Sequence, residues 1–435
     1  MSGLASILLE LGYHVSGSDI QPNRILARLE EKGAQIYIGH QNHQIDGAQV
    51  VVFSSAIKPN NPELIAAKEK KLPLISRGQL LALLMEEKKG IAVAGTHGKT
   101  TTSSMLATIL ETAGTNPTVV IGGCINGSGV NAWWGNGPYL VAEADESDGS
   151  FLLLHPYITV ITNIEADHLD YYQDLGNIKK AFAQFLKQLK PGGKAIVWGD
   201  DSEIKDIIKQ TGIPYLTYGL TPGQDFEARE VCLNTLSQFN LYIQGRNIGQ
   251  VTLSLPGKHN VLNALAALAA AWVLNIDMEM AIYALKNFKG VGRRLEVKGE
   301  KNGIMVIDDY AHHPTEIKMT LNAIKQKWPG RRLITIFQPH RYSRTKSLYQ
   351  EFLTAFSETD ELILTEIYAA SEQPIPGVTG RWLADGIERY RSIYYCPDFE
   401  AIMNKLNKLL QPGDIVLTLG AGNIWQVGEK LLKDE

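Results

Sequence analysis

Residues 91 to 101, Ile91-Ala92-Val93-Ala94-Gly95-Thr96-His97-Gly98-Lys99-Thr100-Thr101, set a glycine-rich turn, a lysine and a row of hydroxyls directly after a short apolar run. That order of residue types suits the cradling of a nucleoside triphosphate. The glycines can expose backbone N–H groups to phosphate oxygens, the helix that follows adds partial positive charge, and the lysine ammonium can span the β- and γ-phosphates. Thr100 would then stand beside a magnesium ion. The usual motif carries a further glycine where this chain has Val93, which leaves the shorter Gly-x-x-Gly-Lys-Thr form. The plain alternative is a strand-to-helix turn with an exposed lysine.

Further stretches collect ligand-type side chains at the ends of apolar runs. Tyr139-Leu140-Val141-Ala142-Glu143-Ala144-Asp145-Glu146-Ser147-Asp148 delivers four carboxylates past a predicted strand. Packed together they repel, so magnesium is their natural partner and a solvated acidic loop the alternative. The run Ile158 to Ile164 ends in Glu165-Ala166-Asp167-His168-Leu169-Asp170, where His168 is either the ligand of a second metal or a structural histidine. Asn260 and Asn263 stand at the start of an alanine-rich helix, placed either to recognise a purine or to cap. Two polar loops follow later strands, Asp308-Asp309-Tyr310-Ala311-His312-His313-Pro314-Thr315-Glu316 and Gln338-Pro339-His340-Arg341-Tyr342-Ser343-Arg344-Thr345. If a helix begins at the second, Arg341 and Arg344 share a face and can grip a small carboxylate in bidentate fashion; otherwise they are surface arginines at a helix start.

The elements that must position these groups read as α/β throughout. A chain of 435 residues suggests two or three domains, and the sequence divides into three. Residues 1–88 form a Rossmann-like N-terminal domain, 89–291 a central P-loop-type ATPase α/β domain, and 292–435 a C-terminal Rossmann-like α/β domain. The first domain opens with a helix that leads through Gly12 into a strand from Tyr13 to Gly17, ending at Asp19. A helix over 22–32 and strands over 34–38 and 50–53 follow, the last entering Ser54-Ser55-Ala56. The strand and phosphate-binding glycines that precede such a helix in a βαβ unit are absent, with Gly3 read as the last of them; the start is missing, or the fold begins with a helix. Lys88-Lys89-Gly90 reads as the exit linker. Central strands are expected near 91–94, 118–121, 139–143, 158–162 and 194–198, and C-terminal ones at 304–307, 332–336, 361–364 and 415–419, after a boundary near Gly290-Val291-Gly292-Arg293-Arg294. Ligands in such sheets gather at the carboxyl ends of strands.

Composition narrows the classes. A net charge of −4 gives no broad basic surface for nucleic acid. Cys124, Cys232 and Cys396 are too scattered for a zinc site and odd in number for a disulfide framework, which suits a reducing compartment. There is no apolar run of membrane-spanning length and no lysine or arginine before Arg24, so neither membrane insertion nor a signal peptide is expected and the location is read as cytoplasmic.

In order along the chain, the Gly95–Thr101 loop, Glu143 in its acidic run, Thr162-Asn163-Ile164 through Asp167-His168, His259-Asn260 with Asn263, and the Asp308–Glu316 loop resemble the motifs of the Mur ligase family. These are ATP-dependent amide-bond-forming enzymes, and the resemblance covers nearly the whole chain. The Gln338–Thr345 loop is most similar to that of members that add L-alanine, and Ser16-Gly17-Ser18-Asp19, Gly39-His40 and Ser54-Ser55-Ala56-Ile57 match the muramate-binding members. The resemblance implies ATP and Mg2+ as cofactors, with Gly95, Thr96, His97, Gly98, Lys99, Thr100 and Thr101 around the phosphates. Thr100 and Glu143 would hold the magnesium ion on the phosphates, and His168 would ligate a second one. Asn260 and Asn263 would meet the adenine, Asp308 or Asp309 the ribose, and Arg293 a phosphate. Tyr310, His340, Arg341 and Arg344 would surround L-alanine, and Asp19, His40, Ser54, Ser55 and Arg77 would hold the UDP moiety. The implied reaction passes the γ-phosphoryl group to the carboxylate of UDP-N-acetylmuramate and lets the alanine amine displace phosphate, with domain closure near residues 89 and 292 excluding water. No residue stands out as the base for the amine. A monomer or weak homodimer is expected. Other readings keep the ligase chemistry with a peptide or another amino acid as the amine, or make the chain a nucleotide-binding sensor without turnover.

Overall fold

The central segment folds around strands that are apolar on both faces. Lys89–Ala94, Tyr139–Glu143, Ile158–Ile161 and Lys194–Trp198 are buried almost end to end, as parallel strands covered by helices on both sides must be. In the computed structural model, which describes residues 1–126 and 129–433, they belong to one ten-stranded sheet. Lys89–Ala94 lies between Tyr139–Glu143 and Ile158–Ile161, parallel to both. From it the chain crosses through helix Lys99–Thr112 to Thr118–Val120 on one side, returns to fill the gap with Tyr139–Glu143, and then moves to Ile158–Ile161 on the other side. That reversal opens a crevice at the carboxyl ends of these strands.

Five strands of this sheet were not expected from sequence: Ala132–Trp133, antiparallel to Thr118–Val120, and Tyr215–Gly219, Phe226–Leu233, Ser237–Ile243 and Arg246–Leu253, the last three joined antiparallel. Ser237–Ile243 does alternate buried and half-buried positions, the signature of a strand with one wet face. Helix Lys258–Val273 packs an unbroken buried stretch, Ala264 to Ala271, against the sheet.

The C-terminal domain is a six-stranded sheet in the order Glu296–Lys301, Ile304–Asp309, Ile415–Leu419, Leu333–Phe337, Glu361–Leu364, Tyr394–Tyr395, with only the first antiparallel. Its four central strands are the expected ones. The N-terminal region departs more from expectation: its first strand is Ser16–Asp19, and Ser16–Asp19 with Gln35–Ile38 and Val51–Phe53 with Leu74–Ser76 form two separate parallel pairs. Helices Ser2–Glu10 and Arg77–Glu86 leave these pairs and bury Leu4, Ile7, Leu80, Leu81, Leu84 and Met85 in one apolar core with Ala92 and Leu140 of the central sheet and Phe151 of the short helical turn Ser150–Leu153.

Lys89 and Gly90, expected as linker and hinge, instead open the strand Lys89–Ala94. A Cβ at Gly90 would lie 2.3 Å from Met85 Cγ, so the junction is packed closed. The second junction is different in kind, with Arg293 and Leu295 at φ 60° and 48°. No helix among the described residues is long and apolar enough to cross a membrane.

Candidate active site

Gly95 and Gly98 are the positions where the phosphate-type loop requires glycine. Their φ angles are +134° and +83°, and a Cβ would fall 2.0 Å from Thr162 Oγ1 at the first and 2.6 Å from Asn263 Oδ1 at the second. The strand-end residues behind the loop hold it in shape. Asn163 Oδ1 accepts the His97 N–H at 2.9 Å, and Thr162 Oγ1 and Asn163 Nδ2 donate to the His97 carbonyl at 2.6 and 3.0 Å. Helix Lys99–Thr112 starts at Gly98 without a side-chain cap, which leaves its first N–H groups for an anion.

Lys99 is folded back onto this loop. Its Nζ donates to the Gly95 carbonyl at 2.6 Å, the Thr96 carbonyl at 3.1 Å and Glu146 Oε1 at 2.8 Å. Burial opposes its charge, but Glu146, Asp145 and Glu143 outweigh that and raise its pKa. Burial pushes Glu146 up to about 7 against the pull of Lys99, and its Oε2 has no partner among the described residues. Glu143 is also raised by burial, while it accepts bonds from the Gly122 N–H and the Thr100 hydroxyl. His168 Nε2 stands 3.8 Å from Glu146 Oε1, and His168 sits in the left-handed region at φ 52° at the head of the short helix Leu169–Tyr172. An orphaned carboxylate oxygen, crowded acids and a hydroxyl are the hard oxygen donors that magnesium prefers. Only two of the four acids expected here face inward: Asp145 pairs with Arg77 at 3.3 Å, and Asp148 Oδ1 accepts the Ser150 N–H at 3.0 Å.

The C-terminal loops meet this cleft through charged contacts. Arg344 donates from Nε and Nη2 to Asp167 at 3.0 to 3.2 Å, with both side chains under a tenth exposed. Asp167 is held far below the usual carboxylate range, the Arg344 guanidinium outweighing its burial. The expected two-arginine clamp on one helical face is therefore not formed. Arg341 precedes helix Tyr342–Ser347 at φ 72°, off the helical face, while Arg344 is occupied by Asp167. Both arginines line a cavity of about 420 Å³ together with Asp167, His168, Ser343 and Ile375.

His97 reaches across the same seam. Its Nδ1 lies 3.1 Å from Glu316 Oε1 and its Nε2 3.5 Å from Glu165 Oε2. Burial favours the neutral ring, yet Glu316 and Glu165 prevail and push His97 up to about 9. Glu316, although buried, is held well below the usual range by His312, His97 and Arg294, and it accepts the N–H groups of His312 and His313. Glu165 Oε2 accepts from Thr315 Oγ1 at 2.7 Å.

Beside this seam, the His312 ring stands edge-on to Tyr310 and His340 at 5.5 and 5.6 Å, and His340 stacks on Tyr368. Burial, with Arg344, lowers His312 to about 3 and His340 to about 4, so both are neutral imidazoles. Arg293 donates to Asp308 Oδ2 at 3.0 Å and the Gly420 carbonyl at 2.6 Å, while Asp309, pushed to about 6 by burial, accepts the N–H groups of Leu295 and Ala311. These three residues tie the second junction to its own domain. Arg294, which the sequence reading did not single out, is the arginine whose charge reaches Glu143, Asp309 and Glu316.

Asn260 and Asn263 lie inside helix Lys258–Val273, past the capping position. Asn260 Nδ2 donates to the Pro256 carbonyl, Asn263 Nδ2 to Asn260 Oδ1, and Thr102 to Asn263 Oδ1, which puts the pair directly behind Gly98. In the N-terminal region His40 bonds Ser18 and Glu63, Asp19 caps the Ile20 N–H, Ser54 and Ser55 form the turn after Val51–Phe53, and Arg77 faces the central acidic loop. Glu146, Asp167, Glu165 and Glu316 were in stretches marked by sequence but carried no assigned role. Their pairing across strands and domains has no local signature.

A family model described as Mur ligase middle domain matches residues 93–271, one described as Mur ligase, glutamate ligase domain matches 293–422, and one described as Mur ligase family, catalytic domain matches 1–89. The chain is 52% identical over 436 residues to a UDP-N-acetylmuramate--L-alanine ligase of Geotalea uraniireducens (strain Rf4), covering 100% of this chain and 95% of that protein. It is 51% identical over 435 residues to one of Geobacter sp. (strain M21), covering 99% and 94%. The structure of UDP-N-acetylmuramate-alanine ligase MurC from Thermotoga maritima superposes with a TM-score of 0.84 at 28% identity, over 99% of this chain and 95% of that one. A murein peptide ligase from Psychrobacter arcticus gives 0.75 at 27% identity, over 99% and 95%. With relatives about half identical along the whole length, the chain belongs to the Mur ligase family.

Proposed function

We propose that this chain is an ATP-dependent ligase that joins L-alanine to the carboxylate of UDP-N-acetylmuramate, releasing ADP and phosphate in the cytoplasm. One observation carries the reading: the lysine-bearing loop, the Glu143 and Glu146 carboxylates, His168 and the C-terminal arginine loop converge on a single cleft at a strand-end crevice.

The residues act mainly by holding charge in place. Before nucleotide arrives, Lys99 is paired with Glu146 and hydrogen-bonded to two loop carbonyls; a triphosphate offers it a stronger partner and frees Glu146. Thr100, Glu143 and His168 would hold magnesium, which supplies charge neutralisation between the γ-phosphate and the incoming carboxylate. The muramate carboxylate oxygen attacks the γ-phosphorus as the bond to ADP breaks, giving an acyl phosphate. The amine then attacks the acyl carbon and inorganic phosphate leaves. His312 directs Nδ1 at the Tyr310 carbonyl, 3.0 Å away, so its Nε2 is a neutral acceptor for the amino group. Docking of the C-terminal loops keeps water from the acyl phosphate.

The test is a coupled ADP-release assay with UDP-N-acetylmuramate, ATP, Mg2+ and a panel of amines. L-alanine is expected to give the highest kcat/KM, and Lys99→Ala to lower it by roughly a thousandfold with cooperative unfolding intact. Turnover that ignores L-alanine, or survives loss of Lys99, overturns the proposal.

A further inference from the structure

Three side chains at the seam between the phosphate loop and the C-terminal domain have the composition of a transition-metal site. His97, Glu165 and His313 each offer one ligand atom, and these atoms lie within 4.8 Å of one another. His97 Nε2 and Glu165 Oε2 are 3.5 Å apart, close to the edge of a tetrahedron whose metal–ligand bonds are about 2.0 to 2.1 Å. A second observation points the same way. His97 and His313 are 7% and 5% exposed; Nε2 of His313 is buried without a hydrogen-bond partner, and Nε2 of His97 makes no hydrogen bond and has only the Glu165 carboxylate 3.5 Å away.

The surroundings are arranged as the outer ring of a metal site is. His97 Nδ1 meets Glu316 Oε1 at 3.1 Å, which orients the ring and leaves Nε2 toward Glu165, the carboxylate–histidine arrangement that tunes metal-bound imidazoles. The Glu165 carboxylate is itself oriented by Thr315 Oγ1 at 2.7 Å, and its side chain is 35% exposed, so water can complete the coordination. His313 has two usable nitrogens: Nδ1, 4.0 Å from Glu165 Oε2 and within 3.3 Å of the Thr315 N–H, and the unpartnered Nε2. Two imidazoles with a single carboxylate are a donor set for Zn2+ or Co2+ rather than for Mg2+, which favours sites dominated by oxygen.

We propose that His97, Glu165 and His313 bind a zinc-type divalent ion, separately from the magnesium residues Thr100, Glu143 and His168, and that the ion clasps the phosphate loop to the C-terminal domain. Its ligands come from both sides of the seam, His97 and Glu165 from the central domain and His313 from the C-terminal one. The bound ion therefore favours the docked arrangement. Nothing in this requires turnover, so the proposal stands or falls independently of the ligase reading.

The experiment is titration of the nucleotide-free, magnesium-free full chain with Zn2+ by calorimetry and with Co2+ by visible absorption. One equivalent is expected to bind, with the intense d–d bands of a low-coordinate cobalt site and a rise in Tm. Glu165→Gln and His313→Gln, made separately, are expected to weaken binding at least about tenfold, whereas Glu143→Gln leaves it unchanged. The Tm of each variant without metal reports whether it is folded. Failure of the wild-type chain to bind one equivalent, affinity indifferent to both Gln variants, or loss of binding in Glu143→Gln would each overturn the proposal.

Discussion

The two seams that join the outer regions to the central domain are built on opposite physics. On the N-terminal side, Leu4, Ile7, Leu80, Leu81, Leu84 and Met85 merge with central-domain side chains into one core. On the C-terminal side, none of the apolar clusters among the described residues contains side chains from both sides of residue 292; contact near the site is made by Arg344 with Asp167, His97 with Glu316, and Thr315 with Glu165. Apolar burial is non-directional and does not depend on protonation or charge screening, so it welds. Charge pairs depend on geometry, protonation and screening, so they can be made and broken. The weld runs beneath the strand ends, through Ala94, Ala142 and Ala144, and the breakable seam crosses the cleft itself.

Four measurements would break or sharpen this contrast. Ile7→Ala empties a fully buried position and is expected to cost about 2–5 kcal/mol in denaturant unfolding; a loss under about 1 kcal/mol would mean the N-terminal helix is not welded. Arg344→Ala strands the Asp167 charge in a buried seam and is expected to weaken C-terminal docking by about 3 kcal/mol. Adding Asp167→Ala is expected to recover part of that, and a double-mutant cycle with no coupling would remove the pair from the account.

The next effect is in pH. His97 is raised from 6.5 to about 9, so its protonated bridge to Glu316 and Glu165 contributes fully below 6.5 and is lost as pH rises through about 9. In the metal-free wild type, protection factors for amide exchange at residues 95–101 and 312–316 are expected to fall over that window, with no such step in His97→Gln; identical profiles would exclude the bridge. The smallest effect is reserved for Arg77→Ala. Its pair with Asp145 is partly exposed, and its loss is expected to change global stability by less than about 1 kcal/mol, because the apolar core, not this pair, holds that side together. A larger change in calorimetric unfolding would blur the distinction between the seams.

How much of this was legible in advance follows the range of each interaction. Gly95, Gly98 and Lys99 were readable because a phosphate loop is a local structure: left-handed glycines, a helix start and a lysine one residue on are all set by neighbours in sequence. The continuous apolar strands Ile158–Ile161 and Ile415–Leu419 were readable for the same reason. The strands Phe226–Leu233 to Arg246–Leu253 were missed because wet-faced antiparallel strands carry a weaker apolar signal. The Arg341 and Arg344 pairing failed because it assumed a helix one residue too early; Arg341 adopts φ 72° and the helix opens after it.

By itself, then, the amino-acid order determined where the nucleotide loop, the acidic strand ends and the α/β layers would lie, since each depends on side chains within a few positions of one another. Only the tertiary structure decided that Glu146 answers Lys99, that Asp167 takes Arg344 across 177 positions of chain, and that His97 meets Glu316 from another domain. Those partners are chosen by burial, where an unmatched charge is costly and the nearest opposite charge in space wins whatever its distance in sequence.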